Sequence, residues 1–351
     1  MKRATIKDVA REAGVSMSTV NMALTGKKGI SDELKKRVFD AVKLLDYKPN
    51  RVAGSLARSS IRIGIILPND WEDYYNDICR GIEYEMGRLV DWKLEGKTLE
   101  YSVKDADTES QALSCFEELK HDGIKNIIFC HSNYADYKDA LSFAFENDIR
   151  VVCIGVGKMI HRTNFLTIEV DAKRCGRIAA ELLENSLPYG ARVAIIIGDK
   201  KIWAHNEKVL GFYDRLNETG KIAPSQVLES GDDDKIAYNL TKEAIANGIE
   251  GFFIATGAVD GVCRAIGDSK KSIKVIATDC SSECRGYMDN GLIFSTIYQN
   301  TFFQGVTAVD TLYNYYVAGQ KPNEQILVEP IVFTKESLLA DNKKNIYANI
   351  M

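Results

Sequence analysis

Thr5-Ile6-Lys7-Asp8-Val9-Ala10-Arg11-Glu12-Ala13-Gly14-Val15-Ser16 begins the stretch, Thr5 to Arg58, around which the rest of the chain is organised. Ile6, Val9, Ala10 and Ala13 recur at helical spacing, which gives a short amphipathic helix with one apolar face. Gly14 takes a left-handed conformation without a Cβ clash and ends that helix. Ser16 is an N-cap for a second helix, Met17 to about Leu24, whose Val20 and Leu24 face back to the first. Two short helices joined by a tight glycine turn make a helix-turn-helix, and the second helix of such a pair enters the major groove of DNA. A third helix is predicted from Asp32 to Leu45, capped by Ser31 or Asp32 and burying Leu34, Val38, Val42 and Leu45. The three apolar faces close a small core.

Charge divides the chain at the same place. Residues 1–62 hold 14 Lys or Arg against 6 Asp or Glu, a net of +8, while the remaining 289 residues hold 31 against 43, a net of −12. The whole-chain charge of −4 hides this asymmetry. A basic module on an acidic body directs phosphate binding to one end and keeps nucleic acid off the other.

The segment Pro49-Asn50-Arg51-Val52-Ala53-Gly54-Ser55-Leu56-Ala57-Arg58 reads as a linker. Pro49 stops the preceding helix and Asn50 can cap a new one. Arg51 to Arg58 is helix-capable but too short to hold alone in water, and Gly54 and Ser55 weaken it further.

At 351 residues the chain has room for two or three domains and a large core. No apolar run approaches the roughly 18–20 residues that would span a membrane, and the N-terminus leads straight into the first helix without a signal-peptide pattern. Eight cysteines without a CxxC pair read as reduced, buried thiols of a cytoplasmic protein. His121, His131, His161 and His205 show no metal spacing. Enzyme motifs also fail. Gly155-Val156-Gly157-Lys158 lacks Walker spacing and has no Ser or Thr after the lysine, and no GxGxxG follows the first strand. No Ser-His-Asp arrangement stands at the strand ends. The expectation is a protein with no catalytic residues, no cofactor and no metal.

From Ile61 onward the texture alternates. Ile61–Leu67, Asn126–His131, Arg150–Ile154, Ala191–Ile197, Gly251–Ala255 and Ser272–Thr278 are short apolar runs rich in β-branched residues. Between them lie helical patterns at about Tyr75–Val90, Thr108–His121, Asp136–Asn147, Asp171–Asn185, Asn206–Thr219, Asp233–Asn247 and Val259–Gly267. Strand–helix alternation in which both sheet faces need cover means parallel α/β sheets, here two similar sets split near residue 160. Asp232-Asp233-Asp234 reads as a solvated helix start, where carboxylates suit the N-terminal dipole. Tyr313, Tyr315 and Tyr316 read as a packed helix face.

Thr5 to Ala57 resembles the head of the lactose repressor/galactose repressor (LacI-GalR) family of bacterial transcription regulators. The resemblance rests on Thr5-Ile6-Lys7-Asp8-Val9-Ala10, Ala13-Gly14-Val15-Ser16, Thr19-Val20, Gly26 and Leu45-Asp46-Tyr47-Lys48-Pro49-Asn50-Arg51-Val52-Ala53. It implies an all-α helix-turn-helix head at 1–48 and a hinge linker at 49–60. A ligand-binding and dimerisation body then fills 61–340, built as two parallel-sheet lobes resembling periplasmic sugar-binding proteins, before a tail at 341–351. Lobe one is expected at about 61–160 and 298–324, and lobe two at about 161–297 and 325–340. The three crossings between them would fall near Met159–Phe165, Ile297–Asn300 and Gln320–Gln325. Val328 to Ser337 resembles the family's closing strand and turn.

The same resemblance implies a DNA-binding set: Thr5, Ser16, Met17, Ser18, Thr19, Asn21 and Met22 in the head, with Asn50, Val52, Ala53 and Leu56 in the hinge. Met17, Ser18 and Met22 would occupy base-reading positions, and Leu56 matches the leucine that relatives wedge into the minor groove. An apolar wedge costs a few kcal/mol of unstacking, offset by contacts that the bend allows. Asn21-Met22 stands where the family usually has Ser-Arg, and Thr25 replaces a common Asn. Methionine cannot bind guanine bidentately as arginine does.

For the body, the resemblance implies a small-molecule effector, a sugar or sugar derivative, beyond the carboxyl ends of the strands. The implied ligand residues are Asp70, Trp71 and Tyr75 after the first strand, with Trp203 and Lys208 after the first strand of lobe two. Thr256, Asp279 and Gln299 complete the set. Lys208 stands where most relatives carry arginine, which keeps the charge but loses the planar fork. Thr256-Gly257 replaces a usual Asn-Asp, and Gly155 a frequent aspartate, so the ligand differs from the family's best-known sugars. Operator DNA and a second copy of the chain are the implied partners, with a tetramer as a further assembly and no membrane. The other function class is a sugar-binding module without a gene-regulatory role, which the head argues against. Met22→Arg should change the preferred base at one half-site position by about 1–3 kcal/mol of discrimination; an unchanged operator from a randomised selection would refute its base-reading role.

Overall fold

A computed structural model of the chain describes residues 5–24, 30–45, 60–70, 72–89, 94–103, 105–131, 137–155, 165–318 and 324–339. In the head, α1 (Ile6–Ala13), α2 (Met17–Leu24) and α3 (Asp32–Leu44) form the expected trio. The N–H and Oγ1 of Thr5 both donate to Asp8 Oδ2, at 2.9 and 2.7 Å, which satisfies groups that a helix start leaves free. Gly14 sits at φ 61°, and Val15 N–H returns to Ala10 O at 3.0 Å, closing the turn. Ser16 Oγ accepts from Thr19 N at 3.0 Å and caps α2. Arg37 of α3 reaches Ala13 O at 2.6 Å and ties the third helix to the turn. Val9, Ala10, Ala13, Val20, Ala23, Val38 and Ala41 make the core. Leu34, Val42 and Leu45, expected inside, are half-buried, with Val42 and Leu45 packed against its edge.

The body holds β1 (Ile61–Pro68), α4 (Glu72–Arg88), β2 (Leu94–Tyr101), α5 (Thr108–His121), β3 (Asn126–His131), α6 (Lys138–Glu146), β4 (Arg150–Gly155), β5 (Phe165–Val170) and α7 (Ala172–Ser186). There follow β6 (Arg192–Ile197), α8 (Trp203–Thr219), β7 (Ala223–Glu229), α9 (Asp234–Ala246), β8 (Gly251–Ala255), α10 (Val259–Ser269), β9 (Lys274–Thr278) and α11 (Ser282–Asp289). Last come β10 (Ser295–Tyr298), α12 (Thr301–Ala318), β11 (Gln325–Val328), β12 (Ile331–Thr334) and α13 (Lys335–Leu339). The strands form two six-stranded sheets, β11-β5-β4-β3-β1-β2 and β12-β10-β9-β8-β6-β7. All pairings are parallel except β10 with β12.

Both faces of each sheet are buried, which explains the near-continuous apolar runs. In β6, Val193, Ile195 and Ile197 meet Ala179, Leu183 and Phe212 of α7 and α8, while Ala194 and Ile196 meet Ala244, Val262 and Ile266 of α9 and α10. The edge strands β2 and β7 were not legible as strands, because water on one side admits Glu95, Lys97, Glu100, Ser225 and Gln226.

The second crossing falls at Gln299–Asn300, as expected, but the other two do not. β5 and β11 pair with each other inside lobe one, Gln325 opposite Thr167 and Leu327 opposite Glu169. The chain therefore crosses at Asp171 and at Glu329–Pro330, and residues 165–170 and 325–328 belong to lobe one rather than lobe two. The buried Glu169, which accepts from Gln325 Nε2 at 2.5 Å, and Thr167 broke the apolar pattern of β5.

Helices α7 and α8 approach backbone to backbone. A Cβ on Gly211 of α8 would lie 1.9 Å from Lys173 O of α7, and one on Gly176 would lie 2.0 Å from Lys208 O. This contact fixes the helix that carries Lys208. Gly211→Ala should lower stability by about 1–3 kcal/mol through overpacking, read as a lower midpoint in urea; an unchanged midpoint would show that the pair separates freely.

Candidate functional site

The carboxyl ends of both sheets face one cavity of about 790 Å³. Lobe one contributes the first turns of α4, Asp73 to Arg80, and His131 at the end of β3. Lobe two contributes one face of α8 (Ala204, His205, Lys208), loop residues Asp232, Thr256 and Asp279, and the start of α11. Tyr298 and Gln299 line it at the second crossing.

Asp279 follows β9 at φ 65°, a conformation that Asp and Asn tolerate better than other side chains with a Cβ. Its N–H bonds Ile297 O at 3.0 Å, and its Oδ2 accepts from Gln299 Nε2 at 2.7 Å. Burial pushes its carboxyl up from the ordinary aspartate range, opposed by the charge of Lys208 and by the Gln299 hydrogen bonds. Lys208 is itself 4 % exposed. His205 Nδ1 lies 2.9 Å from Asp199 O, and burial, then the Lys208 charge, pull its pKa down to about 4. Thr256 Oγ1 donates to Asp232 Oδ1 at 2.6 Å, and the same oxygen accepts from Gly257 N–H at 2.8 Å.

Of the ligand residues expected from sequence, Tyr75, Lys208, Thr256, Asp279 and Gln299 come together around the cavity. Asp70 turns elsewhere: its Oδ2 accepts from Val103 N–H at 2.8 Å and Ser102 Oγ at 3.2 Å, bracing the end of β1 to the end of β2. Trp203 starts α8 half-buried and off the lining face; Ala204, His205 and Lys208 share that face at helical spacing. Trp71 lies outside the described residues. Asp232, read as part of a helix start, reaches the cavity, while Asp233 caps α9 by accepting Ile236 N–H at 2.8 Å. His131, His205 and Asp77 were not singled out as site residues, since each sits alone in sequence beside apolar or charged neighbours.

In the head, α2 presents Met17 at 47 % exposure beside exposed Ser18 and Asn21, with Met22 half-buried. Thr19 Oγ1 lies 2.8 Å from Ser16 Oγ, and Thr5 is exposed at the start of α1. Asn50, Val52, Ala53 and Leu56 lie outside the described residues.

Residues 5–50 match the family model described as bacterial regulatory proteins, lacI family, and residues 64–321 match the periplasmic binding protein domain. The chain belongs to the lacI family of bacterial regulatory proteins. Its lacI-family relatives include the HTH-type transcriptional regulator pepR1 of Lactobacillus delbrueckii subsp. lactis, 27% identical over 71% of this chain and 72% of that one. The regulator RegA of Clostridium saccharobutylicum is 32% identical over 62% of this chain and 63% of its own length. Catabolite control protein A of Staphylococcus aureus is 29% identical over 62% of each. The chain thus spans less than two thirds of the latter two regulators. Among solved structures, the glucose-galactose binding protein GanP of Geobacillus stearothermophilus superposes with a TM-score of 0.69 at 18% identity, covering 80% of this chain and 99% of that one. That likeness carries the fold of this lacI-family body. Among the described residues no helix is long and apolar enough to cross a membrane.

A carboxyl whose pKa rises on folding contributes stability that is complete below its unfolded pKa and is lost as pH climbs through the raised value. The raised Asp279 carboxyl therefore costs the fold stability at neutral pH. Asp279→Asn, which also suits φ 65°, should melt higher than the parent at pH 7 and show less loss of stability just above the ordinary carboxylate range; an unchanged melting profile would contradict the upward shift of the carboxyl.

Proposed function

We propose that this lacI-family chain is a ligand-responsive transcription regulator, a cytoplasmic repressor that binds a near-palindromic operator as a dimer. The observation that carries the reading is one chain holding a capped helix-turn-helix head and a two-lobed body whose strand ends converge on a cavity. Met17, Ser18 and Met22 read bases from α2, while Thr5, Ser16, Thr19 and Asn21 position the head on the backbone. Asn50, Val52 and Ala53 belong to the hinge segment, and Leu56 is its minor-groove wedge.

The effector is a sugar or sugar derivative held by Tyr75, Lys208, Thr256, Asp279 and Gln299. Closing the lobes on it rotates lobe one against its partner, separates the hinge segments and weakens the complex. The effector acts only through unequal affinity for the two arrangements, so tight binding alone shifts nothing.

Operator selection followed by fluorescence anisotropy tests the reading. The full chain should select one half-site motif and bind it at least about a thousandfold tighter than random duplex. Leu56→Ala should lose operator affinity far more than random-duplex affinity. Indiscriminate, salt-sensitive attachment by the parent chain overturns the proposal; equal losses in the variant remove the wedge.

A further inference from the structure

The charged side chains that line the cavity are unequally provided with partners. Asp77 accepts from Tyr298 and Thr301 and pairs with Arg80 at 3.4 Å. Asp232 accepts from Thr256 and Gly257, Asp279 from Gln299, and Asp73 from Ser282 N–H at the mouth. Glu283 is exposed in the first turn of α11, where the helix N-terminus suits a carboxylate. His131 and His205 add no charge at neutral pH, because burial pulls both imidazoles down to about 4. Two cations of lobe two stand apart. Lys208 is 4 % exposed and lines the cavity, and its ammonium makes no hydrogen bond or ion pair among the described residues. Arg285 is half-buried on α11; of its guanidinium only Nε–H donates, to Cys280 O at 3.4 Å, and it has no carboxylate partner among the described residues. Both act on the same turn: the Lys208 charge is felt by Asp279, and Arg285 holds the carbonyl of the residue that follows it. A buried ammonium without an acceptor is costly, and Arg285 keeps most of its planar fork of N–H donors unused.

We propose that the effector is an anion, a polyhydroxyl compound bearing a carboxylate or a phosphate, whose charged group is taken by Arg285 and Lys208 beside the Asp279–Cys280 turn. This rests on the reading of the cavity as the effector site. Carboxylate and phosphate oxygens match the guanidinium fork, and the lysine ammonium adds a point charge. A neutral sugar could accept from both groups but would leave their charges unbalanced. A cationic ligand would be opposed by both. The group that opposes an anion at this turn is Asp279, but burial disfavours its charged form, and ligand hydroxyls can donate to its oxygens.

Thermal melting and calorimetric titration of the full-length chain are followed with D-gluconate, D-glucuronate, D-galacturonate, D-glucose 6-phosphate and D-fructose 6-phosphate. D-glucose, D-galactose and inorganic phosphate are the comparisons. At least one anionic sugar should raise the melting temperature and bind about tenfold or more tighter than either neutral sugar. A response confined to the acids assigns a carboxylate, and one confined to the esters a phosphate. Arg285→Gln and Lys208→Gln should each bind that anion about tenfold more weakly. Arg285→Lys, which keeps the charge and loses the fork, should fall between the parent and Arg285→Gln, and it reads the same contact if the Gln variant does not fold. A parent that binds no anionic member, or binds inorganic phosphate as tightly as any of them, overturns the proposal. A parent that responds only to neutral sugars overturns it while keeping the effector reading of the cavity. An anion response undiminished in both Gln variants places the ligand elsewhere and overturns both. Operator selection reads DNA recognition separately.

Discussion

Three passes of the chain between two sheets hold the body together and set the cavity between them. At Asp171, Gln299–Asn300 and Glu329–Pro330 the backbone moves from one lobe to the other, so the lobes can tilt but cannot part. Hydrogen bonds gather at this line. Asp77 of α4 accepts from Tyr298 and Thr301 across the second pass, Asn300 Nδ2 bonds Glu329 O at 3.3 Å, and Arg174 clasps Glu329 at 2.7 and 2.8 Å. The mouth of the cleft is held far more lightly: Ser282 N–H reaches Asp73 Oδ2 at 3.4 Å, in an exposed position. The bonds gathered at the hinge, the buried Asp77 cluster among them, and the exposed Ser282–Asp73 contact at the mouth favour rotation about the first at the expense of the second.

The cavity wall works against the stability that the sheets provide. Burial disfavours the charged form of Asp279, Lys208 is only 4 % exposed, and His131 hides two unmatched nitrogens. Sheets covered on both faces can tolerate these costs because their apolar burial is large and continuous. A binding wall made of satisfied groups would be more stable and would have less to gain from a ligand.

Departures from the relatives' usual residues are partly offset within the fold. Thr256-Gly257 lacks the usual carboxylate after β8, yet Asp232 swings in from the loop after β7 and bonds both residues. The carboxylate thus returns from a neighbouring loop. Lys208 keeps the position of the usual arginine because the close Gly176 and Gly211 contacts fix α8 against α7. In the head, by contrast, Met22 changes what the surface of α2 offers without altering the core that positions it.

The order of residues alone determined the head, the alternating body and the second crossing. Capping residues, glycine turns and apolar periodicity are short-range signals, and Thr5, Gly14, Ser16 and Ser31 act on backbone groups within a few positions of themselves. It also placed Tyr75, Lys208, Thr256, Asp279 and Gln299 near one another through resemblance. Only the tertiary structure decided that β5 and β11 complete lobe one, that Asp70 braces two strand ends and Trp203 faces away, and that Asp232 and His131 reach the cavity. Those outcomes depend on which strand lies beside which, and on which way a side chain turns once distant loops meet. Neighbours in a sheet are set by pairing across more than 150 residues, as between Thr167 and Gln325, and no local pattern of residues carries that information.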